Sequence, residues 1–271
     1  EQFGFTFKKG LGQNFLTARN ILEEIVDAAE IESGVIEVGP GFGVLTSELA
    51  QNSDKVVTIE IDERLIDVLD YTLAEYDNVK IINEDILKLD LKKVIDDEFN
   101  GEKVSIAANL PYYITTPIIT KLLEEKLPIK NIVVMVQKEV AERMSAKPST
   151  KDYGAITVLC QYYTEPSIVA NVPASLFVPP PKVDSAVLKL KVLDKPSVEV
   201  KDEGVFFRVV KAAFSQRRKT LLNCLSANFP IPKDEISTLL ESIGIAPSRR
   251  GETLSLEEFA NIADTLLQKI K

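Results

Sequence analysis

Among its 271 residues the chain has no histidine. That absence excludes Ser-His-Asp and Cys-His catalysis, histidine-ligated zinc and the usual general base near neutral pH. Any chemistry must rest on Asp, Glu, Lys, Tyr, amides and the backbone, which favours reactions that need little proton transfer. Cysteine is nearly as scarce. Cys160 and Cys224 stand far apart in apolar settings, which makes neither a disulfide framework nor a zinc site. They read as buried free thiols in a reducing compartment. No apolar run nears the roughly 18 residues of a membrane span, and no secretory hydrophobic region stands at the N-terminus. The expectation is a cytoplasmic protein with no metal and no membrane partner. Nothing resembles a dimerisation stripe, so a monomer is expected.

One acid-free stretch is also rich in base. "GVFFRVVKAAFSQRRKT", Gly204 to Thr220, holds five basic residues and no Asp or Glu. The whole chain carries net charge −9, which alone argues against a nucleic-acid binder. Yet residues 195–271 sum to +2 and residues 1–194 to −11. A local basic face matters more for phosphate contact than the global sum. Arg208, Lys211, Arg217, Arg218 and Lys219 form its core, with Arg249 and Arg250 in a later turn that either joins it or only caps a helix starting near Ser255.

Hydrophobic residues make up 45% of the chain, enough for one large and one small domain. Ile21, Leu22, Ile25, Val26 and Ala29 fall on one helical face. From "GVIEVGPG" onward, strands alternate with helices: "VLTSELAQNS", "KVVTIEID", "ERLIDVLDYTLAEY", "VKIINEDIL", "KVSIAANLPYY", "TPIITKLLEEK" and "NIVVMVQKEVAERM". "AITVLCQYYTEPSIVANV" and "DSAVLKLKVL" read as further strand material. The alternation implies an α/β, Rossmann-like, doubly wound parallel sheet near residues 1–194. A polar, proline-bearing linker near 195–203 follows. Only helical periodicity remains beyond it, which implies a small all-helical domain over 204–271.

The first strand ends in glycines 39, 41 and 43. A dinucleotide fingerprint wants its third glycine at 44, where Val44 stands. Small residues here still let the backbone approach a ligand at the carboxyl end of the strand. Glu60 ends the second strand about 20 residues on, where a carboxylate accepts ribose hydroxyls. Asp62 competes for that role, but alternation along the strand favours Glu60. Asp85, after the third strand, either accepts an adenine amine or caps the following "ILKLDL". Together these strand ends describe an adenosine pocket suited to S-adenosylmethionine or NAD.

The fourth strand leaves through Asn109-Leu110-Pro111-Tyr112. Pro111 forces Leu110 into extended geometry and has no N–H of its own. Backbone carbonyls near Leu110 are thereby freed from ladder pairing, and Asn109 adds an amide oxygen. Tyr112 adds a flat aromatic wall. Two acceptors and a stacking face suit a planar base with an exocyclic amine. Hydrogen bonds from both N–H groups favour a more tetrahedral nitrogen, whose lone pair can attack a sulfonium methyl. Such a reaction relies on positioning and electrostatics, in keeping with a chain that lacks histidine.

These motifs resemble those of the ribosomal small-subunit RNA adenine dimethyltransferases, close to the bacterial members that confer kasugamycin sensitivity. The likeness runs nearly end to end: "LGQNFL" (11–16), "EVGPGFGVLT", "IEID", "NED", "NLPY", "FVPPPKVDSAV" (177–187) and "FSQRRKT" (214–220). The resemblance implies S-adenosylmethionine as cofactor, with contacts at Gln13, Asn14, Leu16, Gly39 and Gly41. It gives Glu60 the ribose, Asp85 the adenine amine, and Asn109 a place beside the cofactor and on the target amine, helped by the Leu110 carbonyl. Tyr112 and Phe177 would stack on the two faces of a flipped base. Phe42 and Gly43 depart from some relatives, a modest change in loop packing.

The implied activity is transfer of two methyl groups to each of two adjacent adenosines near the 3′ end of 16S ribosomal RNA, during ribosome biogenesis, within an assembling small subunit. Two alternatives stand beside it. One is the related methylation of large-subunit (23S) RNA that gives macrolide resistance, disfavoured by "FVPPPKVDS", "QRRKT" and the acidic balance. The other is a non-catalytic ribosome assembly factor, disfavoured by the intact motifs.

Overall fold

Apolar side chains at helical spacing and a run of fully buried strands set the architecture of the computed structural model, which describes residues 15–16 and 18–270. A two-residue strand, Phe15–Leu16 (β1), precedes helix α1 (Arg19–Ala29), which buries Ile21, Leu22, Ile25, Val26 and Ala29. Next come β2 (Val35–Val38), α2 (Val44–Gln51), β3 (Val56–Glu60), α3 (Ile66–Thr72) and β4 (Val79–Asn83). Then follow α4 (Leu91–Phe99), β5 (Val104–Asn109), α5 (Thr115–Glu124), β6 (Ile129–Gln137) and α6 (Lys138–Met144). Helix α7 (Ala155–Tyr163) leads into β7 (Thr164–Val172), β8 (Phe177–Val178) and β9 (Ser185–Val192). Four helices complete the chain: α8 (Glu203–Ala213), α9 (Leu221–Asn228), α10 (Lys233–Ser242) and α11 (Leu256–Ile270).

Seven strands form one sheet in the order β4-β3-β2-β5-β6-β9-β7. The first five run parallel, and all residues of β2 and β3 are buried. Near-continuous apolar strands of this kind belong to a parallel sheet covered on both faces. The expected all-parallel sheet is mixed at one side, because β9 pairs antiparallel with β6, from Asn131 opposite Lys191 to Gln137 opposite Ser185. Pro166 lies in β7, the last strand of the order, where a missing ladder N–H is tolerated. Helices α1 and α2 pack Ile25, Leu45 and Leu49 against Val35, Ala107, Val133 and Val187 of the sheet.

Two elements differ from the sequence reading. "AITVLCQYY" is helix α7, not strand. It buries Thr157, Val158, Leu159, Cys160, Tyr162 and Tyr163, nearly all round, so its apolar run shows no helical period. Helix α4 was not foreseen. Asp90 caps it, accepting from Lys93 N at 3.0 Å, and Leu91, Val94, Ile95 and Phe99 are its buried side.

The chain forms two compact units: residues 1–141 with 165–192, and residues 142–164 with 193–271. Residues 142–164 thus join the helical unit, although the sequence reading placed them in 1–194. The reason is aromatic packing. Tyr162 stacks on Phe206 at 4.8 Å between centroids, and Tyr163 on Phe207 at 5.8 Å. Cys160 and Cys224 are buried free thiols.

Candidate active site

At the carboxyl ends of β2, β3 and β5 lies a cavity of about 150 Å³, contained within the first unit. Its wall begins at the glycine turn after β2. Gly39 has φ +71° and its N–H donates to the Ile59 carbonyl at 2.9 Å. A Cβ there would meet nothing within 4 Å, so the backbone faces open cavity. Gly41 shares the left-handed region, and so does Gly43, which starts α2 with φ +82°. Val44, in the place of the third fingerprint glycine, is the first residue of that helix.

Glu60, at the end of β3, is 5% exposed and lines the cavity. Its Oε1 accepts from Asp62 N at 2.8 Å, and the Gly41 and Ile61 N–H groups also hold the carboxylate. Burial raises its pKa; those N–H groups oppose the rise. Asp62 is not on the cavity wall. It pairs with Arg64, whose Nε lies 2.8 Å from Oδ1, and it caps the short turn Glu63–Leu65. Asp85 lines the cavity and also caps its own turn, accepting from Leu87 N at 3.0 Å.

Glu37 escaped the sequence reading. It stands inside β2, 1% exposed, and reaches the cavity wall. Thr46 Oγ1 of α2 donates to its Oε2 at 2.6 Å, stapling strand to helix across the glycine turn. Burial pushes this carboxyl up to about 8, against the pull of the Thr46 hydrogen bond. The signal was an acid within the apolar run "VIEV".

Asn109 ends β5 opposite Met135, and both line the cavity. Leu110 N donates to the Met135 carbonyl at 3.2 Å, which carries the ladder one residue past the strand. The Pro111 carbonyl accepts from Ile114 N and Thr115 Oγ1, both at 3.2 Å, closing a turn into α5. Tyr112 is half-buried, and its hydroxyl lies 2.8 Å from Ser185 Oγ. Burial raises the Tyr112 pKa. Phe177, 3% exposed, pairs with Leu16 where β8 meets β1, and both side chains line the cavity. Gln13 and Asn14 lie outside the described residues.

The basic residues belong to the second unit. Arg208, Lys211, Arg217, Arg218, Lys219 and Arg250 are exposed. The Arg208 guanidinium sits 4.4 Å from the Phe229 ring centroid, and Arg217 Nη2 donates to the Lys151 carbonyl at 2.8 Å. Arg249 spends its guanidinium on Glu258, with Nη2 to Oε2 at 2.9 Å, and on Thr253. Among the described residues no cluster of Cys, Asp or Glu could hold a metal ion, and no helix is long and apolar enough to cross a membrane.

Glycine turn, buried strand-end acid and amide-aromatic strand exit meet on one cavity, which defines the class: a Rossmann-like methyltransferase domain, joined here to a helical unit. A family model described as "Ribosomal RNA adenine dimethylase" matches residues 4–268. The chain belongs to that family. It is 56% identical over 273 residues to "Ribosomal RNA small subunit methyltransferase A" of Bacillus mycoides, covering 98% of this chain and 94% of the relative. The protein of that name from Bacillus anthracis matches equally. A crystal structure of a dimethyladenosine transferase from Plasmodium falciparum superposes with TM-score 0.79 at 30% identity, over 94% of this chain and 98% of that one. The 23S rRNA methyltransferase ErmE follows at TM-score 0.71 and 28% identity, over 94% of this chain and 100% of that one.

Proposed function

We propose that the chain transfers methyl groups from S-adenosylmethionine to the exocyclic amines of two adjacent adenosines near the 3′ end of small-subunit (16S) ribosomal RNA, two to each. The observation that carries this reading is the exit of β5. Asn109 and Tyr112 border the same cavity as the glycine turn and Glu60, so an adenine edge and a nucleoside cofactor can meet there. The site suits the cofactor: Gly39 leaves open space where a side chain would stand, and Glu60 is an acid at the strand end where ribose hydroxyls need an acceptor.

S-adenosylmethionine supplies the electrophilic methyl group on its sulfonium. The residues of the chain do the rest. Glu60 accepts the ribose hydroxyls, and Asp85 the amine of the cofactor's adenine. Leu16 and Phe177, joined through β1 and β8, close the cavity beside them. The Asn109 side-chain oxygen and the Leu110 carbonyl accept the two N–H groups of the target amine, which turns its lone pair towards the methyl. Once the nitrogen is alkylated its proton is acidic, so no histidine is needed. The monomethyl product keeps one N–H and must return with its methyl turned away. Drawing the adenine out of its stack costs a few kcal/mol, which stacking on Tyr112 and Phe177 offsets at roughly 1–3 kcal/mol per stacked base.

The exposed basic side chains around Arg217–Lys219 supply phosphate contacts. The substrate is an assembling small subunit in the cytoplasm, met by a monomer; net −9 keeps binding to other RNA weak. The Bacillus proteins named for the small subunit share 56% of residues with this chain, ErmE 28%, which favours 16S over 23S RNA. Asn109→Ala tests the mechanism. Methyl transfer should fall by about 100- to 1000-fold, the scale for losing one preorganised hydrogen-bonding group, while S-adenosylmethionine still raises the melting temperature. Unchanged transfer would refute the role of Asn109, and stabilisation by NAD alone would refute the cofactor.

A further inference from the structure

Residues 184 and 185 lie where two chain segments that carry the aromatic walls come together. Ser185, fully buried at the start of β9, places its Oγ 2.8 Å from the Tyr112 hydroxyl. Asp184 Oδ1 accepts from Ala174 N at 2.9 Å. Ala174 opens the short turn Ala174–Leu176 that delivers Phe177. The Asp184 carbonyl accepts from Lys138 N at 3.0 Å, and Ser185 pairs with Gln137, so the end of β6 holds the dipeptide in place. One of two neighbouring side chains therefore meets Tyr112 and the other the turn that leads to Phe177, although Tyr112 and Phe177 are 65 positions apart in sequence.

We propose that Asp184 and Ser185 are positioning residues that set the orientation and spacing of Tyr112 and Phe177, and so select a planar base for the slot. The inference rests on the base-stacking reading above. A tyrosine side chain swings about its Cα–Cβ bond, and a hydrogen bond at its far end fixes where the tip of the ring stands and so how far the face lies from its partner wall. Asp184 fixes the start of the turn that presents Phe177. Neither residue is among those that line the cavity, so both act through the walls.

The test is a double-mutant cycle on the full chain with small-subunit particles. Ser185→Ala and Tyr112→Phe should each lower kcat/KM for RNA by about tenfold. The double variant should be no worse than either single one, since both remove the same bond. Ser185→Thr, which keeps a hydroxyl on a β-branched strand residue, should restore most of the loss. Asp184→Ala should lower kcat/KM similarly, with Asp184→Asn rescuing it through the retained amide oxygen. 2-Aminopurine at the target position gives a readout that a merely structural role would not move. Its fluorescence should be quenched by stacking in the wild type and released in Ser185→Ala, with the thermal shift by S-adenosylmethionine unchanged. Losses that multiply in the double variant, or quenching that survives Ser185→Ala, would overturn the proposal. Normal activity and quenching in Tyr112→Ala would instead overturn the base-stacking reading beneath it.

Discussion

Glu37 is an acid in a strand otherwise made of aliphatic side chains, and its proton has a measurable consequence. Its ordinary value is 4.5, and burial pushes it up to about 8 in the folded chain. Between those values the unfolded chain has released a proton that the folded chain still holds. The stability contributed by this site is therefore complete below 4.5 and is lost as pH rises towards 8. Glu37→Gln keeps an acceptor for Thr46 but cannot ionise. Its urea midpoint should fall less steeply than that of the wild type across this window, with the slope due to Glu60, also raised by burial, remaining. Identical slopes would show that Glu37 ionises normally in the fold. Single residues were unevenly legible. Gly39, Glu60, Asp85 and Asn109 could be grouped on one cavity wall because each stands at or just past the end of a strand, a place that sequence pattern marks well. Glu37 could not, because a carboxyl inside a strand looks the same whether it faces a cavity or a neighbour. The bond between Tyr112 and Ser185 was illegible too, since it joins residues 73 apart.

Period alone did not decide which elements were legible: α4 keeps Leu91, Val94, Ile95 and Phe99 at helical spacing and was still missed, because its polar, charged sequence reads as a loop. The face of α1 is visible in its spacing, and so are the parallel strands, as apolar runs bounded by turns. Helix α7 failed because it is buried nearly all round and rich in β-branched and aromatic residues, the composition of a strand. The antiparallel placement of β9 also lay beyond reach, since a strand's direction is set by the path of the chain and not by its own pattern. At the glycine turn the element depends on backbone conformation. Gly43 holds φ +82°, and a Cβ there would stand 3.0 Å from Leu73 Cδ2. Gly43→Ala should cost about 1–3 kcal/mol in urea unfolding, the range for a non-glycine residue forced into this region. A loss below a few tenths would mean that the turn relaxes freely.

On the scale of the whole molecule, charge and chemistry are divided between the two units. The cavity lies in the first and the exposed basic run in the second. The boundary was only partly legible. The change of pattern after Leu193 is visible in sequence, but the return of residues 142–164 to the helical unit depends on Tyr162 and Tyr163 packing on Phe206 and Phe207. Replacing Arg217, Arg218 and Lys219 with Gln should weaken association with small-subunit particles and reduce its salt slope by about one for each phosphate no longer neutralised. The thermal shift by S-adenosylmethionine should not change. An unchanged salt slope would move the RNA face elsewhere. The central claim, that this family member dimethylates adenine in small-subunit RNA, is tested most directly by nucleoside mass spectrometry. Separate 30S and 50S particles lacking the modification are incubated with the chain and S-adenosylmethionine, and their RNA is digested. The account predicts N6,N6-dimethyladenosine from the 30S particles alone, at two residues per particle; methylated adenosine from the 50S particles alone would contradict it.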